Sequence, residues 1–255
     1  MAAAPVLPAS PAPTPEPAPL SEGARLVNTF IAPSKTFTDL RRNASWWAPW
    51  LILAIVWVAF VYSVEHKIGF RKITEDQIQM VPKVADQFEK MPPDQREKQI
   101  AVRTAGTLYF DYAKSALRLG WFALIAALLF ATFKFAAGTE VSFKHSFAVV
   151  VYASLPMVIQ LLLGIASLLA GVSPEGYTPD NPIASNPAYF MNPADSLVRY
   201  SLVAPIDIFA IWSLILTAIG FSCVSNVKRG TAFAVVFGWY IVAALVGVGV
   251  VAIFT

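Results

Sequence analysis

Asp207 is the one acidic residue set well inside an apolar stretch, and no other side chain of this sequence is better placed to do chemistry. An ionisable group in hydrocarbon is costly, so it faces a bundle interior, pairs with another polar group and is a functional candidate by default. Ala210, Ser213, Thr217 and Gly220 follow it at helical spacing. They make one small, polar-tinged face suited to close helix packing. Three readings of Asp207 stand side by side. It is a structural ion pair with Arg118, which opens another apolar stretch on the same side, with Arg199 as second choice. It is a proton or cation site. Or it snorkels to the interface.

Pro156 and Gln160 are the second place where chemistry is possible. A proline inside an apolar helix removes a backbone hydrogen bond and kinks it, and Gln160 lies one turn further on. Broken helices build many transporter sites, which makes this pair, with Asp207, the basis for a small transporter or permease. Against that, the chain shows no matching halves. Ser/His/Asp sets, glycine-rich phosphate loops and paired intramembrane aspartates are missing, which predicts no catalytic residue and no enzyme. His66 and His145 lie in different connections, and Cys223 is the only cysteine. No metal site and no cofactor is implied.

The elements that must position these residues are five apolar stretches, at residues 46–64, 117–137, 146–172, 202–225 and 231–254. A hydrocarbon core of ~30 Å needs ~20 apolar residues in helix, and these stretches have about that length. With 56% hydrophobic and 14% charged residues, a soluble domain is excluded, because its helices would need polar faces. A net charge of +3 spread along the chain gives nucleic-acid binding no support. The expected fold is an all-α membrane protein: a five-transmembrane-helix bundle with an extramembrane helical hairpin and a cytoplasmic amphipathic amino-terminal segment.

Orientation follows from lysine and arginine in the connections. Arg25, Lys35, Arg41 and Arg42 precede the first stretch, Lys134 and Lys144 flank the second connection, and Lys228 and Arg229 fill the fourth. The third connection holds Arg199 against Glu175, Asp180 and Asp195. This places the amino terminus in the cytoplasm and the carboxyl terminus outside, in the cell membrane. Lys67, Arg71 and Lys72 fall on the external side, diluted by Glu65, Glu75 and Asp76.

Residues 1–20 form an Ala/Pro tail whose alternate prolines forbid helix and favour an extended, solvated, disordered segment. It lacks the plan of a signal peptide and is expected to stay on the protein. Residues 21–45 carry Ser21 and Ser34 as helix caps, with Pro33 between, and amphipathic faces of Leu26, Phe30, Phe37 and Leu40 against Arg25, Lys35, Arg41 and Arg42. A helix in the headgroup layer and a helix packed under the bundle explain them equally. The external insertion, 66–115, reads as a hairpin with Thr74 and Gln77 as a capping box and Pro92–Pro93 as the break. The Asn-Pro pairs at 181, 186 and 192 predict a turn-rich external loop. The membrane domain is 46–255.

Phe30-Ile-Ala-Pro33-Ser34-Lys-Thr-Phe37, then Arg41-Arg42, then Trp46-Trp47-Ala-Pro49-Trp50 resembles bacterial members of the Yip family (Yip-one domain), whose eukaryotic members are Ypt/Rab-interacting membrane proteins. Tyr152-Ala-Ser-Leu-Pro156, Asp207-Ile-Phe209-Ala-Ile-Trp212 through Gly220, and Lys228-Arg229-Gly230 continue the likeness to the carboxyl end. The resemblance implies a five-helix membrane domain with a cytoplasmic amino-terminal region and, in eukaryotic members, work in vesicle trafficking or membrane shaping through contacts with small GTPases and other family members; for bacterial-type members it supplies the fold and not an established activity. Where eukaryotic members carry Asp-Leu-Tyr-Gly-Pro, this chain has Ser45-Trp46-Trp47-Ala48-Pro49, which puts GTPase binding in doubt. The reading is therefore a non-enzymatic, membrane-organising scaffold in the lipid bilayer, with homo- or hetero-oligomers formed through its membrane helices. Its candidate intramembrane polar residues are Asp207, Arg118, Gln160, Pro156, Ser213 and Thr217.

Overall fold

The computed structural model describes residues 18–174, 177–193 and 195–254; most of the Ala/Pro tail lies outside the described residues. Eleven α-helices appear there, with no strand among the described residues: α1 (Glu22–Ile31), α2 (Pro33–Asp39), α3 (Trp47–Lys67), α4 (Phe70–Gln79), α5 (Pro82–Glu89), α6 (Pro93–Ala131), α7 (Phe143–Ala153), α8 (Pro156–Leu169), α9 (Leu197–Val203), α10 (Ile208–Ser225) and α11 (Arg229–Phe254). Five helices are long and apolar enough to cross a membrane, counting α7 with α8 as one and α6 with its π-helical extension Thr132–Ala136 as another.

In hydrocarbon the hydrophobic effect does not drive helices together, so close packing and polar contacts must. α3 packs on α8 and α6, while α10 is surrounded by α2, α7, α8 and α11. Phe133 and Phe221 stack with ring centroids 4.6 Å apart, and Trp46 meets Phe147 edge-on at 5.2 Å. The fifth crossing, α11, is attached differently. Ala232 and Val236 are buried, Tyr240 donates to the Pro205 carbonyl at 2.7 Å, and Trp239 donates to Thr132 Oγ1 at 3.0 Å. Most of the rest of its surface faces outward: Ala243 is exposed, and a side chain on Gly247 would meet nothing among the described residues.

The amino-terminal segment is a helical pair tucked under one end of the bundle. Phe37 and Leu40 are fully buried, and Phe30 meets Trp212 edge-on at 5.6 Å. Val27 and Ile31 on its other face are exposed. Ser21 caps α1 by accepting from the Ala24 amide at 3.2 Å. Ser34 does not cap α2: Pro33 takes the first helical position, where its missing N–H costs nothing, and Ala32 becomes the cap.

Other boundaries differ from the sequence reading for equally local reasons. The helix expected to open at Thr74 begins at Phe70, after Gly69 at φ 86°, and the Thr74 hydroxyl donates back to the Phe70 carbonyl. The second crossing continues the helix from Pro93 without a break. The third is interrupted at Ser154–Leu155, where Pro156 starts a new helix. The fourth starts at Ile208, not Leu202, because Pro205 stops α9 and Asp207 caps α10.

Candidate functional site

Two buried polar nodes hold the bundle together. The first is built on Asp207, which is buried and sits at the N-cap of α10 rather than on its face. One carboxylate oxygen accepts from the amides of Phe209 at 2.9 Å and Ala210 at 3.0 Å. The other accepts from Gln160 Nε2 at 3.2 Å, from Asn186 Nδ2 at 3.3 Å and from the Ser185 hydroxyl. A carboxylate at a helix N-terminus also meets the positive end of the helix dipole. The helix break at Pro156 and the cap at Asp207 therefore belong to one site, since Gln160 lies one turn past the break.

The third connection closes that site. Asn181 and Asn186 exchange side-chain hydrogen bonds, at 2.8 and 3.3 Å, and Asn181 also donates to the Tyr200 hydroxyl at 3.2 Å. Asn186 caps the 3-10 turn Pro187–Phe190 by accepting from the Tyr189 amide, and the Ile208 amide donates to the Ser185 carbonyl at 3.1 Å. In the same connection, burial, with the charge of Tyr189 second, holds the Tyr177 hydroxyl above its ordinary pKa. With five donors on its two oxygens, Asp207 acts as a rivet between α8, the loop and α10.

Arg118 is elsewhere. Its guanidinium lies 4.4 Å from the Trp57 ring, and its Nη1 is buried without a hydrogen-bond partner among the described residues. Trp57 in turn donates to the Asp111 carbonyl at 2.7 Å, and Lys114 bridges Asp111 at 2.6 Å and Asp180 at 3.3 Å. The expected Asp207–Arg118 pair does not form, because capping turns the carboxylate onto its own helix and loop. Arg199 does not replace Arg118 as its partner either. Thr217 donates to the Ser213 carbonyl at 2.7 Å, a bond within α10, while the Ser213 hydroxyl is buried and unpartnered.

The second node was not legible as a site in the sequence. Arg25, read as part of a basic face, is 2% exposed. Its Nε donates to Asp39 Oδ2 at 2.7 Å and its Nη1 to Glu22 Oε1 at 3.2 Å. The Tyr152 hydroxyl completes the set by donating to Glu22 Oε2 at 2.7 Å, which ties α1 to α7 just before the break. Thr29 and Thr36 both donate to the Arg25 carbonyl. Burial lowers the Arg25 pKa, but the hydrogen bond and charge of Asp39, with the charge of Glu22, outweigh it and hold the guanidinium above its ordinary value. The signal was the spacing of Glu22, Arg25 and Thr29, which makes a polar stripe on α1.

Open space lies outside both nodes. A cavity of about 360 Å³ is lined by Gln77, Gly106, Thr107, Lys114 and Asp180, and a neighbour of about 250 Å³ reaches Arg103 and Val84. The first lies between the insertion and the third connection, and the second among the helices of the insertion.

These features define a multi-pass helical membrane protein with an amino-terminal helical pair docked on its bundle. A model of the Yip1 domain family matches residues 27–251, nearly the whole chain, and the protein belongs to that family. No curated protein and no solved structure matches it.

Proposed function

We propose that the protein is a non-enzymatic membrane scaffold of the Yip-domain type, organising membrane or partner proteins through its bundle and its amino-terminal helical pair. The amino terminus is cytoplasmic, the carboxyl terminus is external, and the membrane is the cell membrane. Association of copies or partners runs through membrane helices, for which α11 offers an outward apolar face. The observation that carries this reading is the state of Asp207. All its acceptor capacity is turned onto protein donors, so it has no lone pair to offer a transported ion. Small-GTPase binding forms no part of the reading: Pro49, the one residue kept from the eukaryotic stretch, is buried in α3.

The break at Ser154–Leu155 beside Gln160 and Asp207 favours a second reading, a small transporter working at that junction. One comparison separates them. The full-length protein and Asp207→Asn are reconstituted for proton and cation flux, and both are captured from their own membrane for comparison of co-purifying proteins. A scaffold gives no flux above empty vesicles and the same partners with either chain. Flux that vanishes in Asp207→Asn makes the protein a transporter.

A further inference from the structure

One end of the bundle carries exposed basic side chains that no acid among the described residues pairs with. Three contacts bring its segments to a common level: Arg41 Nη1 donates to Asn226 Oδ1 at 3.2 Å, Arg229 Nη2 to Ser34 Oγ at 3.4 Å, and His145 Nε2 meets the Arg41 carbonyl at 3.3 Å. Around that level Lys35, Arg41, Lys134, Lys144, Lys228 and Arg229 are exposed. None of the six takes part in an ion pair among the described residues. The acids there are few, since Asp39 and Glu22 are committed to Arg25, and Glu140 is exposed.

The insertion at the other end interleaves acids with its bases, and although Lys83, Lys90 and Lys98 stay outside ion pairs among the described residues, others are bridged. Arg71 bridges Glu75 at 2.9 Å and Glu97 at 2.6 Å, Lys72 meets Asp76 at 3.1 Å, and Lys114 meets Asp111 and Asp180. Apolar side chains flank the unpaired end: Ile31 is 74% exposed and Phe135 75% exposed, with Val27 and Phe143 beside them. Apolar anchors beside uncompensated lysines and arginines match a leaflet boundary, where acyl chains meet headgroups.

We propose that this end is a docking surface for anionic phospholipid headgroups. The basic side chains take the phosphates, and Val27, Ile31, Phe135 and Phe143 lie among the acyl chains. This goes beyond the scaffold reading and stands or falls separately from it, because it concerns the lipid and not a protein partner.

The test is lipid retention by the full-length protein, measured by native mass spectrometry from micelles doped equally with phosphatidylglycerol and phosphatidylcholine. Phosphatidylglycerol should be retained about fivefold or more over phosphatidylcholine, with the excess shrinking as salt rises. The variant Lys35→Gln/Lys144→Gln/Lys228→Gln touches side chains without hydrogen bonds among the described residues and should bring the excess below about twofold. The matched control Lys83→Gln/Lys90→Gln/Lys98→Gln removes equal charge from the insertion and should keep it. Equal retention of the two lipids in the wild-type protein overturns the proposal. So does an equal loss in the control, which would reduce the effect to net charge. Release of the bound lipid by inorganic phosphate would assign the surface to a soluble anion and overturn it too. If the triple variant fails to fold, the lipid preference and salt dependence of the wild-type protein decide alone.

Discussion

The ring of Phe37 occupies the space that a side chain on Gly220 would fill. A Cβ built at Gly220 would stand 3.0 Å from Phe37 Cδ1 and 2.5 Å from Val149 Cγ1. Phe37 and Val149 are both fully buried, so neither can move aside into open space. This one missing side chain lets α2 lie under α10 and lets α7 close against both.

Gly220→Ala should therefore destabilise the protein despite the better helix propensity of alanine. Propensity favours Ala by ~1 kcal/mol, whereas overpacking a filled interior costs ~1–3 kcal/mol and more for larger residues. Val149 is β-branched and stiff, so the clash is not relieved by a rotamer change. Thermal unfolding in detergent should show Gly220→Ala below wild type and Gly220→Leu lower still. Adding Val149→Ala should restore part of the loss. A Gly220→Ala protein as stable as wild type would mean α2 does not pack there.

Arg25 and Asp39 should behave as one unit. Removing either partner of a buried pair leaves a charge without compensation and costs ~3–5 kcal/mol. Arg25→Ala and Asp39→Ala should each lower stability by about that much. The double variant should cost clearly less than the sum of the two. Additive losses in the cycle would place the residues apart.

Tyr152→Phe tests the tie between the amino-terminal pair and the third crossing. It removes one hydrogen bond to a charged acceptor, worth ~1.5–3 kcal/mol, and changes no volume. The loss should appear chiefly as freer exchange of α1 amides, because Glu22 is the residue released. Exchange protection of α1 that is unchanged in Tyr152→Phe would show that α1 is held without this bond.

Asp207 and Arg118 should be energetically independent. Asp207→Ala removes a helix cap and takes one acceptor away from Gln160, Ser185 and Asn186, at a cost of ~1–3 kcal/mol. Arg118→Ala acts at Trp57, on another helix pair. The double variant should equal the sum of the singles within ~0.5 kcal/mol. A coupling well above that value would restore the ion pair expected from sequence.

What the sequence made legible was whatever depends on local pattern. The five apolar stretches fall on the five long helices because composition alone decides what can lie in hydrocarbon. Pro156 marked the break because a proline acts on its own helix within one turn, whereas the partners of Gln160, Ser185 and Asp207, lie on other elements. Asp207 was misread on a local point: an aspartate after Pro205 and before an uninterrupted apolar run is an N-cap, and the cap ends the helix there. Arg25–Asp39 escaped for a different reason. The partners are on separate helices, and only the turn at Ala32–Pro33, which folds α1 back on α2, brings them together. Gly220 was read as part of a packing face, but its partner Phe37 lies far away in the sequence and was not identifiable.

The orientation of the chain is testable with single cysteines in a Cys223→Ser background, and burial dictates where to place them. Ser146 and Ser185 are buried and would resist a maleimide from either side, so neither reports on topology. Thr38, Ser142, Lys98 and Ala184 are exposed. With the basic end cytoplasmic, a membrane-impermeant maleimide added to intact cells should label Lys98→Cys and Ala184→Cys. Thr38→Cys and Ser142→Cys should label only after the membrane is opened. The charge count predicts this sense, since lysines and arginines exceed acids at the end that carries Thr38 and Ser142, whereas the insertion and the third connection hold them near balance. External labelling of Ser142→Cys would invert the topology, and with it the leaflet in which the basic end stands.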